Sequence, residues 1–419
     1  MTNATQHPTR ITWHPPAWPV YDAETIARVT SLVASNRVFD YGRGAEIAEI
    51  EEGFSRRYDG FHALTFNSGT SALYAAYRGL GFSNGAEVVV PTFTFQSTAS
   101  PLLALGATPV LCDVGGKDGN VTAATIERQI TTRTVGVVVT HLFGAPCEME
   151  QIAALCNRRG LALVEDCSHA HASLYQGKPV GMHGDAAVFS LGARKMVSGG
   201  HGGILITRRS DVFDLACLVG HFKQRARTSV IDPRLRLLED FALGGNLRMS
   251  PLAAVLAQGH VAKLSGLARE KRRLAHRLLA AAEATLGVQR LTTIEGGENG
   301  SYYDIVVALP TGATRIDRDV MVARLRERGL QVRSPATGLI HRSALMRADA
   351  ETLTLLKAPT SNLDAMRRAV RHGRFEQAED LHDRLISFPS EYIYGSMDRI
   401  VDEYIEAMAS ATGGARFDG

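Results

Sequence analysis

The chain lacks most of what would build a cross-linked, membrane-embedded or nucleic-acid-binding protein. Its five cysteines are an odd number, scattered from Cys112 to Cys217 without a Cys-x-x-Cys pair. That argues against a disulfide framework or a structural zinc site and for reduced thiols in a cytosol. No apolar run reaches the roughly 20 residues that a spanning helix needs. The first 20 residues are polar and proline-rich, without the apolar segment of a secretory signal. A cytoplasmic protein without a membrane partner is therefore expected. Blocks of one charge are also scarce: 46 Lys+Arg against 43 Asp+Glu leave a net charge of +3. The arginines at 367–374 run directly into acids, which reads as a solvated helix face and not as a nucleic-acid surface. A Walker loop and an HExxH pair are missing, so neither a phosphate-binding Gly-Lys-Ser/Thr turn nor a zinc helix is available, and no metal is expected.

What is present is a regular alternation. Between about 60 and 210, short Val/Ile/Leu-rich runs fall at 63–66, 87–90, 109–114, 135–140, 161–164, 186–191 and 204–207. Segments of helical length, such as 70–80, 97–105 and 148–159, lie between many of them. Apolar runs without strict alternation, joined by helices, predict a largely parallel sheet covered on both faces. Loops at the carboxyl ends of such strands build ligand sites. The last two runs are joined by a loop too short for a helix, which allows an antiparallel strand there. Upstream lies an irregular arm, 1–21, and a helix capped by Asp22 and carrying Ile26, Val29 and Leu32. Tyr41-Gly42-Arg43-Gly44 breaks the chain before a helix with Ile47, Ile50 and Phe54 on one side. Downstream, 208–250 is charged and less regular, and a long helix is expected from Pro251 toward Leu279. A smaller α/β unit follows, with strands at 304–309 and 330–333, helices at 317–328 and 396–408, and helical periodicity through 362–384. The expected units are an arm and helix (1–40), a large domain (41–250), a linking helix (251–284) and a small C-terminal α/β domain (285–419).

Four clusters could carry chemistry, each with an ordinary alternative. Lys195 ends the apolar run 186–191 and precedes Gly199-Gly200-His201-Gly202-Gly203. A lysine between apolar walls loses its proton more easily and becomes a nucleophilic amine; a solvated loop lysine is the plain alternative. Asn67-Ser68-Gly69-Thr70-Ser71 follows one strand and opens a helix, offering N–H groups and hydroxyls to a phosphate, or a simple helix cap. Asp166 stands at the end of another buried run, where a carboxylate needs a cation, a protonated ring nitrogen or hydrogen-bond donors. His169 and His171 beside it are acid–base candidates or satisfied polar residues. Phe95, in Pro91-Thr92-Phe93-Thr94-Phe95, could lie against a planar heterocycle or simply fill the core. Together, a phosphate cradle, an aromatic face, a carboxylate and a lysine match the needs of pyridoxal 5′-phosphate.

Ser68-Gly69-Thr70-Ser71-Ala72-Leu73, Pro91 to Phe95, His141-Leu142-Phe143-Gly144-Ala145-Pro146, Glu165 to Ala172, Gly184 to Ser190 and Asn246-Leu247-Arg248-Met249-Ser250 make the chain resemble the DegT/DnrJ/EryC1/StrS aminotransferases. The resemblance runs from about Tyr41 to the C-terminal helix. It implies an α/β protein of the pyridoxal-phosphate fold type I, with a large, mostly parallel sheet domain and a smaller C-terminal α/β domain. It also implies transfer of an amino group from L-glutamate or L-glutamine to a keto-sugar or keto-cyclitol, in antibiotic, secondary-metabolite or surface-polysaccharide biosynthesis. Lys195 would be the Schiff-base lysine and proton shuttle, and Asp166 the partner of the pyridine nitrogen. His169 would contact the ring face or its 3-oxygen, with Phe95 on the opposite face. Gly69, Thr70, Ser71 and Ser190 would bind the phosphate, and Asn246 would reach the phosphate of the neighbouring subunit in a homodimer. Two features depart from the family pattern. His201 stands where the family commonly has glutamate, and the charged stretch 364–384 is longer than usual. A ketosugar dehydratase and a non-catalytic relative are the rival readings; retention of Lys195 favours transamination.

Overall fold

Each of the seven apolar runs expected between 60 and 210 forms a strand. The computed structural model describes residues 16–115, 118–241, 243–355 and 361–411. In chain order the strands are β1 (His62–Phe66), β2 (Glu87–Pro91), β3 (Thr108–Cys112), β4 (Thr134–Thr140), β5 (Ala162–Asp166), β6 (Leu174–Tyr175), β7 (Lys178–Pro179), β8 (Ala186–Ser190) and β9 (Gly203–Thr207). The main sheet has the order β1-β9-β8-β5-β4-β2-β3. Neighbours from β3 to β8 pair in parallel, whereas β9 runs antiparallel to both β8 and β1. The short Lys195 loop thus returns the chain antiparallel, as its length allowed.

The runs are continuous because the sheet is buried on both faces. Val89, Val137, Val139, Leu163, Phe189 and Ile204 pack on one side with Ile47, Ile50 and Phe54 of the helix Ala45–Arg57. The intervening Val88, Val90, Val138, Val164, Val188 and Leu205 pack on the other with the helices Gly69–Gly79 and Ser210–Gly220. This alternation fixes the register, since a slip of one residue would exchange the two faces. All five cysteines are buried and unpaired. Among the described residues, no helix is long and apolar enough to cross a membrane.

The remaining strands are β10 (Gln289–Arg290), β11 (Gly297–Glu298), β12 (Ile305–Ala308) and β13 (Leu385–Phe388). They form an antiparallel β10-β12-β13 sheet and a small β11-β6-β7 sheet. Ile305, Val307, Ile386 and Phe388 share a core with the helices Leu264–Leu286, Arg315–Glu327 and Asp398–Ala411. Thr314 and Asp317 cap the middle helix reciprocally, which starts it two residues earlier than expected.

Four expectations need correction. The helix expected from Pro251 to Leu279 is two helices, Pro251–Val261 and Leu264–Leu286, parted at Ala262 and Lys263. The strand expected at 330–333 is reduced to a single bridge between Arg333 and Ser387, because Ser334 and Pro335 turn the chain away at once. The helix expected at 97–105 divides into a 3₁₀ turn, Gln96–Thr98, and a short helix, Ser100–Ala104. The periodicity of 362–384 resolves into Ser361–His372 and Glu376–Arg384, interrupted at Gly373. Within this stretch Leu363, Met366 and Phe375, with Ile340 and Met346 before them, join the core that contains Leu102 and Leu111. The long C-terminal connection is therefore packed onto the main sheet. Of the irregular arm, residues 1–15 lie outside the described residues; 16–22 are irregular, as expected.

Candidate active site

The carboxyl ends of β2, β5 and β8, with the turn after β1, open into one cleft of about 320 Å³. Gly69, Thr70, Phe95, Asp166, His169, Ser190, Lys195 and His201 all line it. Ser71 is the third residue of the helix opened by that turn, where its N–H and hydroxyl both meet the Ser68 hydroxyl. The cap and the cradle coexist: Ser68 caps the helix, while the Thr70 hydroxyl donates to Ser97 at 2.9 Å. The turn sits hard against the sheet. A Cβ on Gly69 would stand 2.9 Å from the Ser190 Cβ, and one on Gly203 only 2.4 Å from the Ser68 carbonyl oxygen. Glycine at both positions lets the turn and the hydroxyl of Ser190 share one corner.

Asp166 is 5% exposed at the end of β5. Its Oδ2 accepts from the Thr98 hydroxyl at 2.9 Å and its Oδ1 from the Ser168 N–H at 3.1 Å. Thr98 in turn meets Thr94, and Thr94 meets Thr140, each at 2.9 Å. Each carboxylate oxygen of Asp166 thus has one donor, which offsets part of the cost of burying it. The adjacent Glu165 points the other way. Burial works against its charge, but His141 and the N–H groups of Gly181, His183 and Gly184 hold its pKa below the ordinary value. It ties β5 to the loop before β8.

The Lys195 loop is closed by Leu191 N–H to Gly202 and Gly199 N–H to Leu191, both at 2.8 Å. Burial brings the Lys195 amine down from 10.5 to about 7, with Asp166 opposing the fall and Arg194 assisting it. The solvated-loop alternative is thereby set aside. The Nζ lies 3.8 Å from the centroid of the Tyr303 ring. That ring also stacks on His169, at 3.8 Å and 7°. Phe143 lies parallel on His169 at 6.5 Å. Tyr303 thus covers one face of His169, and the buried Nδ1 of His169 lacks a partner. Burial, then the nearby Lys195 and Arg194, keep it well below the usual histidine pKa. Phe95 is 53% exposed at the cleft mouth, whereas Phe93 is the one that fills the core. Asn246 is exposed and outside the lining of this cleft, its side-chain oxygen accepting from Arg248 at 2.9 Å.

The sequence profile of the DegT/DnrJ/EryC1/StrS aminotransferase family matches residues 19–362. The chain belongs to this family. The GDP-perosamine synthase of Escherichia coli O157:H7 is 33% identical over 233 residues, spanning 56% of this chain and 62% of that protein. The L-glutamine:2-deoxy-scyllo-inosose aminotransferase of Streptomyces fradiae is 33% identical over 307 residues, 71% of this chain and 72% of that one. The crystal structure of 3-amino-5-hydroxybenzoic acid synthase superposes with a TM-score of 0.79 at 25% identity, covering 96% of this chain and 99% of the other. The family and the α/β fold expected from the motifs are both correct.

Several residues that shape this family member's site were not singled out from the sequence. Thr98 holds Asp166 from 68 positions away. Tyr303 covers His169 and Lys195 from just before β12. The Trp18 indole donates to the Lys195 carbonyl at 2.7 Å across 177 positions. Arg194 reaches Asp304 at 3.1 Å and Glu391 at 3.5 Å, beside β12 and β13. Trp18, one of two tryptophans in the chain and set in a polar arm, was the one signal available.

Proposed function

We propose that the chain is a pyridoxal 5′-phosphate-dependent aminotransferase that moves an amino group from L-glutamate or L-glutamine to a ketone on a nucleotide-linked sugar or a cyclitol. One observation carries the reading: a lysine with a depressed pKa, a donor-supported carboxylate and a glycine-walled hydroxyl corner converge on a single cleft. The relatives support the substrate class, since they are a GDP-perosamine synthase and an L-glutamine:2-deoxy-scyllo-inosose aminotransferase.

The residues present fit the cofactor. The corner between Gly69 and Ser190 is one that a Cβ would fill. The N–H groups of Gly69 and Thr70 and the hydroxyls of Ser71 and Ser190 there offer donors at the positive end of a helix, as a phosphate requires. Asp166, held by Thr98 and Ser168, lines the cleft as the carboxylate that would pair with a ring nitrogen. Phe95 is free to lie against a planar ring. His169, stacked on Tyr303, would present its unpartnered Nδ1 edge to a ring oxygen. When bound, the cofactor supplies an aldehyde for nitrogen and a ring that withdraws electrons. Lys195 would hold the cofactor through its amine, and its Nζ would take up and give back the proton that moves during transfer. A pKa near 7 lets its amine take up and release that proton at neutral pH. Asn246, exposed and unused by its own cleft, completes the phosphate site of a second copy in a cytoplasmic homodimer.

The test is a panel of amino donors against keto-sugars and keto-cyclitols, read by mass spectrometry. An acceptor that keeps its carbon skeleton and gains an amine agrees with the proposal. Loss of a hydroxyl without gain of nitrogen would favour the dehydratase reading instead.

A further inference from the structure

The long connection between β12 and β13 touches the segment that leads to Phe95. Leu339 forms an antiparallel bridge with Phe93, and the Ile340 N–H donates to the Thr92 carbonyl at 2.8 Å. Beside that bridge Thr92, His341 and Glu379 form a line. Thr92 Oγ1 lies 2.5 Å from His341 Nδ1, and His341 Nε2 lies 2.9 Å from Glu379 Oε1. Burial works against the charge of Glu379, but His341 and Arg342 hold its pKa below the ordinary value. A carboxylate only accepts, so Nε2 carries the hydrogen. Burial also holds His341 below the usual histidine pKa, against the pull of Glu379. The ring is therefore neutral at pH 7, and its Nδ1 accepts from the Thr92 hydroxyl. Two other charged groups face this line. Arg342 shares Glu379 at 3.3 Å and grips Asp383 at 2.7 Å, while Asp113 caps the helix Glu376–Arg384 through the N–H groups of Gln377 and Ala378. Phe375 stacks on the imidazole at 4.3 Å and 17°. Hydroxyl, imidazole and carboxylate stand in the order of a nucleophile triad, but Thr92 is 0% exposed and no substrate reaches it.

The far end of the same turn is tied to Asp166. The Thr98 hydroxyl gives its single hydrogen to Asp166, so Thr94 must be the donor in its contact with Thr98. Thr94, two residues beyond Thr92, then accepts from Thr140. We infer that Glu379 and His341 are positioning residues which, through Thr92, hold the 92–98 turn so that Thr98 meets Asp166 and Phe95 faces the cleft. The long C-terminal connection thereby acquires a role in cofactor binding, which presupposes the aminotransferase reading above. Asn362 supports the same turn from behind, donating to the Leu103 and Ala107 carbonyls at 2.9 and 3.0 Å.

The experiment uses cofactor-free protein and two readouts. Calorimetry gives the Kd of pyridoxal 5′-phosphate, and amide hydrogen exchange follows the peptide covering 92–98. Thr92→Val keeps the shape and removes the hydroxyl; it should raise Kd about fivefold and speed exchange in 92–98, leaving the helix Asp398–Ala411 unchanged. Thr92→Ser should stay within twofold of wild type. Glu379→Gln, at a side chain 40% exposed, should raise Kd about threefold and speed the same exchange. Combined with Thr98→Val, Thr92→Val should lose less than the product of the two single losses, because both act on one line. A Kd for Thr92→Val within twofold of wild type, or losses that simply multiply, would overturn the assignment. Should Thr92→Val fail to fold, Glu379→Gln decides by the same two readouts. If wild type binds no pyridoxal 5′-phosphate, the aminotransferase reading fails and exchange alone judges the line: faster exchange of 92–98 in Glu379→Gln upholds it, and unchanged exchange overturns it.

Discussion

The depressed pKa of Lys195 can be measured directly in cofactor-free protein. At pH 7 a lysine with a pKa of about 7 is roughly half neutral, whereas one at 10.5 is neutral in only about 3 molecules in 10,000. Trace labelling with an amine-reactive reagent over pH 5–11, read by mass spectrometry of the peptide containing position 195, should give a midpoint near 7. Exposed lysines such as Lys263 serve as internal reference. Because Arg194 lowers the value and Asp166 raises it, Arg194→Gln should move the midpoint up and Asp166→Asn should move it down. The same shift has a consequence for stability. The folded pKa lies below the unfolded one, so between pH 7 and 10.5 the unfolded chain binds more protons at this position. The contribution of Lys195 to stability therefore rises with pH through that window, and Lys271 acts in the same sense. A labelling midpoint near 10, or no response to either neighbouring substitution, would refute the argument that burial sets this amine.

Thr98→Val removes a hydrogen bond to a charged group, a change of about 1.5–3 kcal/mol, and leaves Asp166 one donor short. Thermal or urea denaturation should show that loss, with weaker cofactor retention; an unchanged midpoint together with unchanged retention would remove Thr98 from the site. Mixing inactive Lys195→Ala and Asn246→Ala proteins should restore part of the activity through hybrid dimers. No recovery after demonstrated subunit exchange would count against a shared site.

The sheet could be read from the sequence because its strands are buried on both faces and so appear as unbroken apolar runs. Lys195, Asp166 and the Ser68 turn were legible for a related reason, as each sits where such a run ends. The parting of the helices at Ala262 and Lys263 had no such mark. Neither residue breaks a helix, and Lys263 is turned out to pair with Asp22, 241 positions earlier. The run 330–333 looked like a strand because Leu330 and Val332 are buried, yet only Arg333 has a partner on β13. Thr98 and Tyr303 were invisible as site residues because what they do depends on contacts made far along the chain. A threonine in a short turn and a tyrosine before a strand have no local pattern that announces a role.

The central claim is that one amine, at position 195, condenses with the aldehyde of a vitamin B6 cofactor. Borohydride reduction of the protein with pyridoxal 5′-phosphate, followed by peptide mapping, tests it most directly. The account predicts one cofactor mass per chain, fixed on the peptide containing Lys195 and absent from Lys195→Ala protein. Attachment at another lysine, or no stable attachment, would contradict it.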